Sequence, residues 1–423
     1  MSGREFFTAR TVAEARSGFR PAHRTPVRTV PLAEALHRVP AGPVPATAAL
    51  PGFDRSTVDG FAVRAADTFG ASEGLPSYFD LLGAVRMGAA PEVAVRPGGC
   101  VAVPTGAVLP PGADAVVMVE YTAETMPGTI EVTRPVAAGA GLVRADEDVA
   151  AGAALVPGSR PLRAAELGLL AAAGVTEVTV HTRPRVAIVS TGDEVVPPDT
   201  ATLRPGQVRD ATASALAGLV ADAGGTPVRA GIVPDEPGAL KEALGGVLAG
   251  DLGGPVDLVV VSAGSSVGVR DETTGAVAAL GDVWCHGLAI KPGKPTLLAE
   301  CEGVPLVGLP GNPLSALVVF RLVGVPLVWS LAGCPQPPPE PTTRARLSRN
   351  LASAAGRLDV VQVRLARGPA GSTAGSTAGS TAEPLFGPSA LLSVLTRADG
   401  YVVIPEPATG LDGGTEVEVV LYR

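Results

Sequence analysis

The sequence contains few lysines, few aromatic residues and few cysteines. Phe, Trp and Tyr make up 4% of the 423 residues and hydrophobic residues make up 46%, so any core must be packed mainly with Val, Leu and Ala. The four cysteines are far apart and never form a C-x-x-C pair, which argues against a zinc cluster or a redox motif. We expect them to be small buried side chains.

Long runs of basic residues are absent too, and the net charge is −8. Such a protein has no electrostatic footprint for nucleic acid, so an anionic ligand must be attracted by a local pocket. The polar, amphipathic opening MSGREFFTARTVAEARSG predicts no export leader. The longest apolar run, residues 314–331, contains Arg321 and Pro326, which favours a buried helix over a membrane span. We therefore expect a cytoplasmic protein that binds neither nucleic acid nor membrane.

Residues 184–333 alternate short β-rich apolar runs with longer helical stretches, the pattern of a sheet with crossover helices. The predicted strands are RVAIVS, PVRAGIVP, DLVVVSAG, VWCHGLAI, PTLLAE and VPLVGLP. Helices are predicted over DATASALAGLVADAGG, over DEPGALKEALGGVLAG with Asp235 as its cap, from near Asp271, and from Leu314. The region is predicted to be α/β, with a mixed, mostly parallel sheet.

The rest of the chain predicts three further regions. FFTARTVAEARSG, VPLAEALHRV and LRAAELGLLAAAG read as helices, residues 50–142 as short strands, and the stretch after the proline-rich CPQPPPEPTT as a small β domain. We predict an α/β multidomain protein with an N-terminal helical/linker domain (1–46 with 143–182), an inserted β domain (47–142), the α/β domain (183–331) and a C-terminal β domain (332–423). The repeat GSTAGSTAGSTA, residues 371–382, is predicted to be an exposed flexible loop.

Polar loops follow several predicted strands of the α/β domain. Because ligands of such sheets bind beyond the carboxyl ends of the strands, we expect the loops after Ser190, Ser262, Ile290 and Leu309 to meet at one crevice. The first loop, STGDEVVPP, offers oxygen atoms that suit Mg²⁺, although an ordinary turn with solvated acids explains it equally well; its candidate residues are Ser190, Thr191, Gly192, Asp193 and Glu194.

The second loop, SAGSSVGVRDE, resembles an anion site at a helix start. Its candidates are Gly264, Ser265, Ser266 and Gly268, with Asp271 at the helix start. Asp271 is also explained as a helix N-cap, and Asp235 likewise, so metal binding by Asp235 is the less favoured local interpretation. The loop is neither a Walker sequence nor G-x-G-x-x-G, which weakens ATPase and Rossmann dehydrogenase interpretations.

One of the remaining two loops holds two of the three lysines of the chain. AIKPGKPT holds Lys291 and Lys294, and Lys241 is the only other lysine. Chance in an arginine-biased composition is one explanation; a need for compact ammonium groups is the other. GLPGNPLSA supplies Pro310, Gly311, Asn312 and Pro313, which taken alone form a turn into a helix. Together the four loops predict a pocket for a phosphorylated or nucleotide-like molecule and a divalent cation.

PGFDRSTVDGFAVR, VPTGAVLPPGADAVVMVE, VAIVSTGDEV, GQVRD, AIKPGKPT and GLPGNPLSA occur in the order seen in the MoeA and gephyrin E-domain family. The chain resembles the molybdopterin molybdenumtransferases from about residue 5 to its end. The resemblance implies an enzyme that inserts molybdate into adenylylated molybdopterin, forms molybdenum cofactor and releases AMP, with Mg²⁺ as the metal. It also implies an elongated homodimer, with residues 183–331 as the molybdopterin-binding domain.

The resemblance also implies residue roles. Asp59 and Thr105 are expected at the active site, contributed by the β region and facing the partner's α/β domain. Lys291 and Lys294 are expected to hold molybdate or phosphate oxygens. The carboxylates expected on the metal and pyrophosphate side are Glu194, Asp235 and Asp271. Ser389 of GPSALLS matches a serine near the cleft.

The chain departs from the family pattern at a few positions. Ala263 and Ser265 change the glycine-serine loop, Thr212 replaces an Asn, and Asp146 replaces a glycine. The two rival functions are an ATP-dependent molybdopterin adenylyltransferase and a non-catalytic pterin-binding scaffold. The histidines fall outside every motif and are expected to be structural.

Overall fold

The computed structural model describes residues 9–262, 267–367 and 380–422, except for the side chains of 267–271 and 367. The first elements are α1 (Val12–Gly18), β1 (Val27–Pro31) and β2 (Val44–Pro45). The prediction of a helix over VPLAEALHRV is wrong, because only Leu32–Glu34 forms a short 3-10 turn. The β-branched residues before it pair as a strand with a later segment, and this tertiary pairing outweighs local helix propensity.

The next region is built from strands. They are β3 (Arg55–Ser56), β4 (Gly60–Val63), β5 (Ser77–Ala84), β6 (Gly99–Val103), β7 (Ala115–Met118), β8 (Thr122–Met126), β9 (Thr129–Val132) and β10 (Leu142–Val143). Six of them form a sheet in the order β7-β4-β6-β5-β9-β8. Its core is packed by small and branched residues, with Phe79 as its largest fully buried side chain. The predicted β character of this region is confirmed.

The chain then returns to its N-terminal elements. β11 (Ala154–Val156), α2 (Ala164–Ala172) and β12 (Glu177–His181) follow. β12 pairs antiparallel with β1, with Val27 opposite His181, and β11 pairs with β2. Segments on both sides of the β region therefore share one core, in which Leu162 and Leu170 are fully buried.

The central region begins at Arg185. Its elements are β13 (Arg185–Thr191), β14 (Val195–Val196), β15 (Val208–Arg209), α3 (Ala211–Asp222), β16 (Thr226–Val233), α4 (Ala239–Ala249), β17 (Leu258–Ser262), α5 (Val267–Ala278), β18 (Gly281–His286), β19 (Ile290–Lys291), β20 (Leu297–Cys301), β21 (Val304–Leu309), α6 (Pro313–Val319) and α7 (Val325–Leu331). The sheet order is β16-β13-β17-β21-β20-β18. The first four strands are parallel and β20 is antiparallel to both neighbours, which confirms the mixed, mostly parallel α/β sheet.

Two predicted helix caps in this region are wrong. Asp235 does not cap α4, because that helix begins at Ala239 after Gly238, whose φ is +83°. The residues before Gly238 include Pro237, which disfavours helical geometry in the residue ahead of it and delays the start. Asp271 does not lie at the start of α5 either, since this helix begins at Val267.

α6 and α7 are joined by a π-helical turn, Phe320–Gly324. Within the described residues, Pro313–Leu331 is the one helix long and apolar enough to cross a membrane, with a mean hydropathy of 2.0. However, 61% of this stretch is buried inside the protein, where Val319, Phe320 and Leu331 are fully enclosed. This packing is that of a core helix.

The last region contains β22 (Thr342–Leu347), β23 (Leu351–Ala352), β24 (Leu358–Arg367), β25 (Ser380–Pro384), α8 (Ser393–Thr396), β26 (Gly400–Ile404), β27 (Gly410–Leu411) and β28 (Glu416–Leu421). Its sheet order is β19-β24-β25-β22-β28-β26, so β19 of the central region joins this sheet. The loop prediction for 371–382 is wrong at 380–382, which lie in β25 with Ala382 fully buried. Residues 371–379 lie outside the described part.

The four cysteines are all free and buried, as expected.

Candidate functional site

The carboxyl ends of the parallel strands gather several of the predicted loops at one edge of the central sheet. β13 ends at Thr191, β16 at Val233, β17 at Ser262 and β21 at Leu309. β20 is antiparallel to both β18 and β21, so β18 runs parallel to β21. The loop that follows His286 and holds Lys291 and Lys294, here called the lysine loop, therefore starts at the same edge. The topology thus places these loops where open α/β sheets bind ligands.

A cavity of about 620 Å³ opens at this edge and is here called the lysine cavity. The predicted residues in its wall are Lys291, Lys294, Pro310, Gly311, Asn312 and Ser389. The lysines stand on either side of Gly293, whose φ is +118° and whose missing Cβ leaves room for the Val319 side chain. Pro313 lies behind this wall as the first residue of α6. Three segments distant in sequence therefore meet around two ammonium groups.

The wall also contains residues that no motif indicated. Arg357 adds a third cation, and Thr273, Thr274 and His286 line another side. Thr274 Oγ1 lies 3.3 Å from His286 Nδ1, and His286, one of the histidines expected to be structural, lines the cavity. Arg357 could not be found from local sequence, because pairing of β19 with β24 brings it from another domain of the predicted architecture.

Asp359 contacts two of these cations. Its side chain is 4% exposed, with Oδ2 3.8 Å from Lys291 Nζ and Oδ1 accepting a 2.8 Å hydrogen bond from Arg357 Nε. Burial of a carboxylate is tolerated when cations and hydrogen bonds compensate its lost hydration. Asp359 is thus the counter-ion of two cationic groups in the described cavity wall.

The carboxylates of the first loop form a second cluster. Asp193 Oδ1 accepts a 3.0 Å hydrogen bond from the backbone N–H of Asp235. Burial raises the pKa of Asp235, and the nearby carboxylates of Asp193, Glu194 and Glu272 raise it further. Neither Glu194 nor Asp235 lines the lysine cavity; Asp235 lines a smaller neighbouring cavity, and Thr273 lines both. Asp235 therefore lies next to the lysine cavity, across Thr273, whereas Glu194 lines neither cavity.

This acidic cluster fits a hard cation in charge and donor type. Carboxylate oxygens are the ligands that Mg²⁺ prefers, and a cation would relieve the repulsion that raises the pKa of Asp235. Among the described side chains, no three Asp, Glu, His or Cys residues converge tightly enough to hold a metal ion. Asp271 lies in α5, and its side chain is outside the described part.

Ser190 and Thr191 are nearly buried, at 3% and 4% exposure. The Ser190 hydroxyl donates a 2.8 Å hydrogen bond to Asp210 Oδ2, while Asp210 Oδ1 caps α3 by accepting from the Ala213 N–H at 3.0 Å. Ser190 therefore ties the first loop to α3. Gly192 has a φ of +131°, and a Cβ there would meet the Glu194 carboxylate, so this position requires glycine.

Asp59 and Thr105 form a separate exposed pair at the end of the β region, where Gly60 of β4 lies opposite Val103 of β6. Asp59 Oδ1 accepts hydrogen bonds from the Thr105 backbone N–H at 2.7 Å and from its hydroxyl at 3.0 Å. The hydrogen bond from the backbone N–H is the larger cause, and together the two bonds hold the pKa of Asp59 below its ordinary value. Neither residue lines the lysine cavity of the same chain.

The remaining predicted residues fall partly outside the described residues. Gly264, Ser265 and Ser266 lie outside them, as does Ala263, whereas Gly268 is in the first turn of α5. Asp146 has a φ of +63°, which explains why a glycine is expected there. Thr212 is buried in the first turn of α3.

Comparison with known proteins extends these observations over the whole chain. Residues 10–174 match the profile of the MoeA N-terminal region, domains I and II; residues 187–329 match a probable molybdopterin binding domain; residues 344–422 match the MoeA C-terminal region, domain IV. The crystal structure of the molybdopterin biosynthesis MoeA protein from Pyrococcus horikoshii OT3 superposes with a TM-score of 0.82 at 28% identity, covering 98% of this chain and 100% of that chain.

Several curated relatives are named molybdopterin molybdenumtransferase. A molybdopterin molybdenumtransferase of Nostoc sp. is 37% identical over 300 residues, which are 70% of this chain and 67% of the relative. Molybdopterin molybdenumtransferase 2 of Mycobacterium tuberculosis is 33% identical over 421 residues, 97% of both chains. The chain belongs to the MoeA family of molybdopterin molybdenumtransferases.

Proposed function

We propose that the protein inserts molybdate into adenylylated molybdopterin, forming molybdenum cofactor and releasing AMP. The observation that carries the proposal is the lysine cavity, where Lys291, Lys294 and Arg357 present three cations at the ligand-binding edge of the sheet. An overall acidic protein that concentrates cations in one cavity is built to bind a small oxyanion there. The curated names of full-length relatives support the same activity.

The proposed chemistry is nucleophilic displacement at the phosphoanhydride. Lys291 and Lys294 hold molybdate so that one of its oxygens attacks the pterin-side phosphorus, and the anhydride bond breaks as AMP leaves, which joins molybdate to the pterin phosphate. The two dithiolene sulfurs then replace oxygen ligands of the molybdenum, and the bond between molybdate and phosphate breaks to leave molybdenum cofactor with a free phosphate. Positioning and charge stabilisation supply most of the rate enhancement. The Pro310, Gly311 and Asn312 loop and Ser389 confine the substrate on the other side of the cavity.

The same proposal includes a bound Mg²⁺. Glu194 and Asp235, together with Asp271, would hold it beside the lysine cavity. When bound, such a cation neutralises charge on the pyrophosphate group. The glycine-serine loop, with Gly264, Ser265, Ser266 and Gly268, would bind the phosphate side of the substrate, aided by the N-terminus of α5.

We further propose a cytoplasmic homodimer of four-domain subunits, with the domain boundaries given above. Asp59 and Thr105 would complete the partner's active site, since they line no part of the lysine cavity of their own chain. A shared site of this kind makes dimerisation a condition of catalysis.

The test is AMP release by the purified chain supplied with adenylylated molybdopterin, molybdate and Mg²⁺. Replacing Lys291 or Lys294 with Ala is expected to slow release roughly a hundredfold or more, since each removes a charge placed at the oxyanion. Lys241→Ala is the matched control, because Lys241 is exposed on α4 outside the cavity. Near-normal AMP release by either cavity variant would contradict the assigned role.

The same assay distinguishes the rival functions. Formation of adenylylated molybdopterin from ATP and molybdopterin would identify an adenylyltransferase, which the family membership does not favour. A dimer that binds adenylylated molybdopterin and never releases AMP with molybdate and Mg²⁺ present would identify a scaffold.

A further inference from the structure

Two cations in the described wall of the lysine cavity share one buried carboxylate. Asp359 contacts Lys291 and Arg357, and its own side chain is 4% exposed and absent from the described cavity wall. Lys291 keeps 59% of its side chain exposed and Arg357 keeps 37%. The carboxylate therefore lies outside the described cavity wall, in contact with two cations that line it.

Backbone pairing fixes this arrangement. β19 pairs parallel with β24, which places Lys291 opposite Asp359, and the Leu358 N–H donates to the Ala289 carbonyl at 2.8 Å. The lysine loop comes from the central region and the carboxylate from the last sheet, so the two regions meet at this ion pair. A displacement of either region would move the cation relative to the cavity.

We propose that Asp359 is a positioning residue for the oxyanion, holding Lys291 and Arg357 in the geometry that binds molybdate. The inference rests on the proposed function, because it takes molybdate as the oxyanion. Three neighbouring cations repel one another, and a buried counter-charge in contact with two of them allows them to converge before the substrate arrives. Such preorganisation lowers the free-energy cost of binding.

The direction in which the KM for molybdate changes distinguishes positioning by Asp359 from a simple effect of its negative charge. Asp359→Asn removes one negative charge and leaves the net charge of the site more positive, so electrostatics alone predicts tighter molybdate binding and a lower KM. Loss of positioning predicts the opposite, because Lys291 and Arg357 would then sample other orientations. Asn retains an oxygen that can accept from Arg357 Nε, so the shape of the site changes little.

The experiment measures AMP release while molybdate and adenylylated molybdopterin are varied in turn. For Asp359→Asn we expect the KM for molybdate to rise about tenfold, as for a misplaced binding group, with the KM for adenylylated molybdopterin unchanged. Asp359→Glu, which restores the charge, is expected to recover part of the loss. Glu416→Gln is the control, since Glu416 pairs with Arg344 at 2.8 Å in the same sheet and its side chain is 46% exposed.

A lower or unchanged KM for molybdate in Asp359→Asn would overturn the proposal. Thermal unfolding without ligand shows whether Asp359→Asn folds. If it does not fold, Asp359→Glu takes its place. A raised KM for molybdate in Asp359→Glu then supports positioning, and an unchanged KM refutes it. If the wild type releases no AMP, the proposed function fails instead. Positioning is then tested by measuring how far molybdate alone raises the melting temperature. Asp359→Asn should reduce this rise, and an equal rise in both proteins would rule out positioning by Asp359.

Discussion

At the scale of the residue, Asp235 shows how a site can oppose stability. Its carboxyl is partly buried among Asp193, Glu194 and Glu272, and its pKa is raised above the ordinary value. A raised carboxyl pKa means that the folded state binds the proton more tightly than the unfolded state. Ionisation of Asp235 therefore lowers the free energy of unfolding as the pH rises through the folded pKa, and the cost persists at neutral pH.

Asp235→Asn is accordingly expected to be as stable as the wild type at pH 7 or slightly more stable, by roughly a fraction of a kcal/mol because the group is partly solvated. The difference should vanish below the unfolded-state pKa, where both side chains are neutral. If Asp235 is a ligand of the proposed Mg²⁺, the cation should raise the melting temperature of the wild type more than that of the variant. Urea unfolding at pH 7 and pH 3, with exposed Asp199→Asn as control, checks this; a variant clearly less stable at pH 7 would contradict it.

The sequence alone identified as candidate site residues those whose residue type is rare in the chain. Lys291 and Lys294 stand out because the chain has one other lysine, and they do lie in one cavity with the Pro310 loop. Arg357 is one of thirty arginines, and nothing in the sequence around it distinguishes it from the others. Its place in the cavity depends on β19–β24 pairing. Such a pairing between distant segments leaves no local pattern.

At the scale of the element, the lysine loop depends on Gly293. Its φ of +118° is strained for any other residue, and a Cβ would overlap the Val319 side chain of α6. Gly293→Ala is expected to destabilise the fold by about 2–5 kcal/mol, combining backbone strain with overpacking, and to reduce AMP release by displacing both lysines.

Gly303→Ala is the matched control for the glycine substitution. Its φ is +79°, with nothing within 4 Å of the added Cβ, so only backbone strain of about 1–2 kcal/mol is expected. Urea unfolding and AMP release of the two variants separate strain from overlap. Equal losses in both would show that contact with Val319 is unimportant.

The start of α2 is held by a buried carboxylate. Glu166, with its side chain 7% exposed, accepts hydrogen bonds from Arg163 and from Arg160 at 2.6 Å each. Hydrogen bonding from Arg163 is the main cause that lowers its pKa from 4.5 to about 2. A lowered carboxyl pKa stabilises the folded state above the unfolded value, and the stability is lost as the pH falls from about 4.5 to about 2.

Glu166→Gln is therefore expected to lower the free energy of unfolding at pH 7 by about 1–3 kcal/mol, the worth of hydrogen bonds to a charged group. The variant should also lose part of the acid sensitivity between pH 4.5 and pH 2 that the wild type shows. Urea unfolding across this range measures both effects. Glu92→Gln is the control, because the Arg86–Glu92 pair is mostly exposed and worth little; equal changes in both variants would refute the role of burial.

Elements were predictable where apolar runs were long. β13, β17 and β21 are buried in the central sheet and were predicted from continuous Val, Ile and Leu runs. The predicted start of α4 was wrong because Pro237 and Gly238 precede the helix. The helix predicted over residues 30–39 is absent; its first two residues belong to β1, which pairs with β12, and Leu32–Glu34 forms a 3-10 turn. Local sequence encodes burial well and partner choice poorly.

At the scale of the whole molecule, the lysine cavity and the Asp59–Thr105 pair lie in different places. The lysines, the Pro310 loop and Ser389 share a cavity, while Asp59 and Thr105 form an exposed pair at the end of the β region and are absent from its described wall. The family resemblance already implied that Asp59 and Thr105 face a partner subunit, and in the described fold they line no part of the lysine cavity of their own chain. The proposed homodimer would join the two groups across subunits.

Complementation tests this arrangement. Asp59→Asn and Lys294→Ala homodimers should each be nearly inactive while folding normally, because both side chains are exposed. When the two chains are co-expressed at equal amounts, random pairing makes half of the dimers mixed. If Asp59 serves the partner's lysine cavity, each mixed dimer has one site carrying both changes and one intact site, so about a quarter of wild-type AMP release should return. If Asp59 served its own chain, both sites of the mixed dimer would be damaged and no activity would return. Co-expression of Asp59→Asn with Asp59→Gln is the control, since no pairing of these chains restores an intact site.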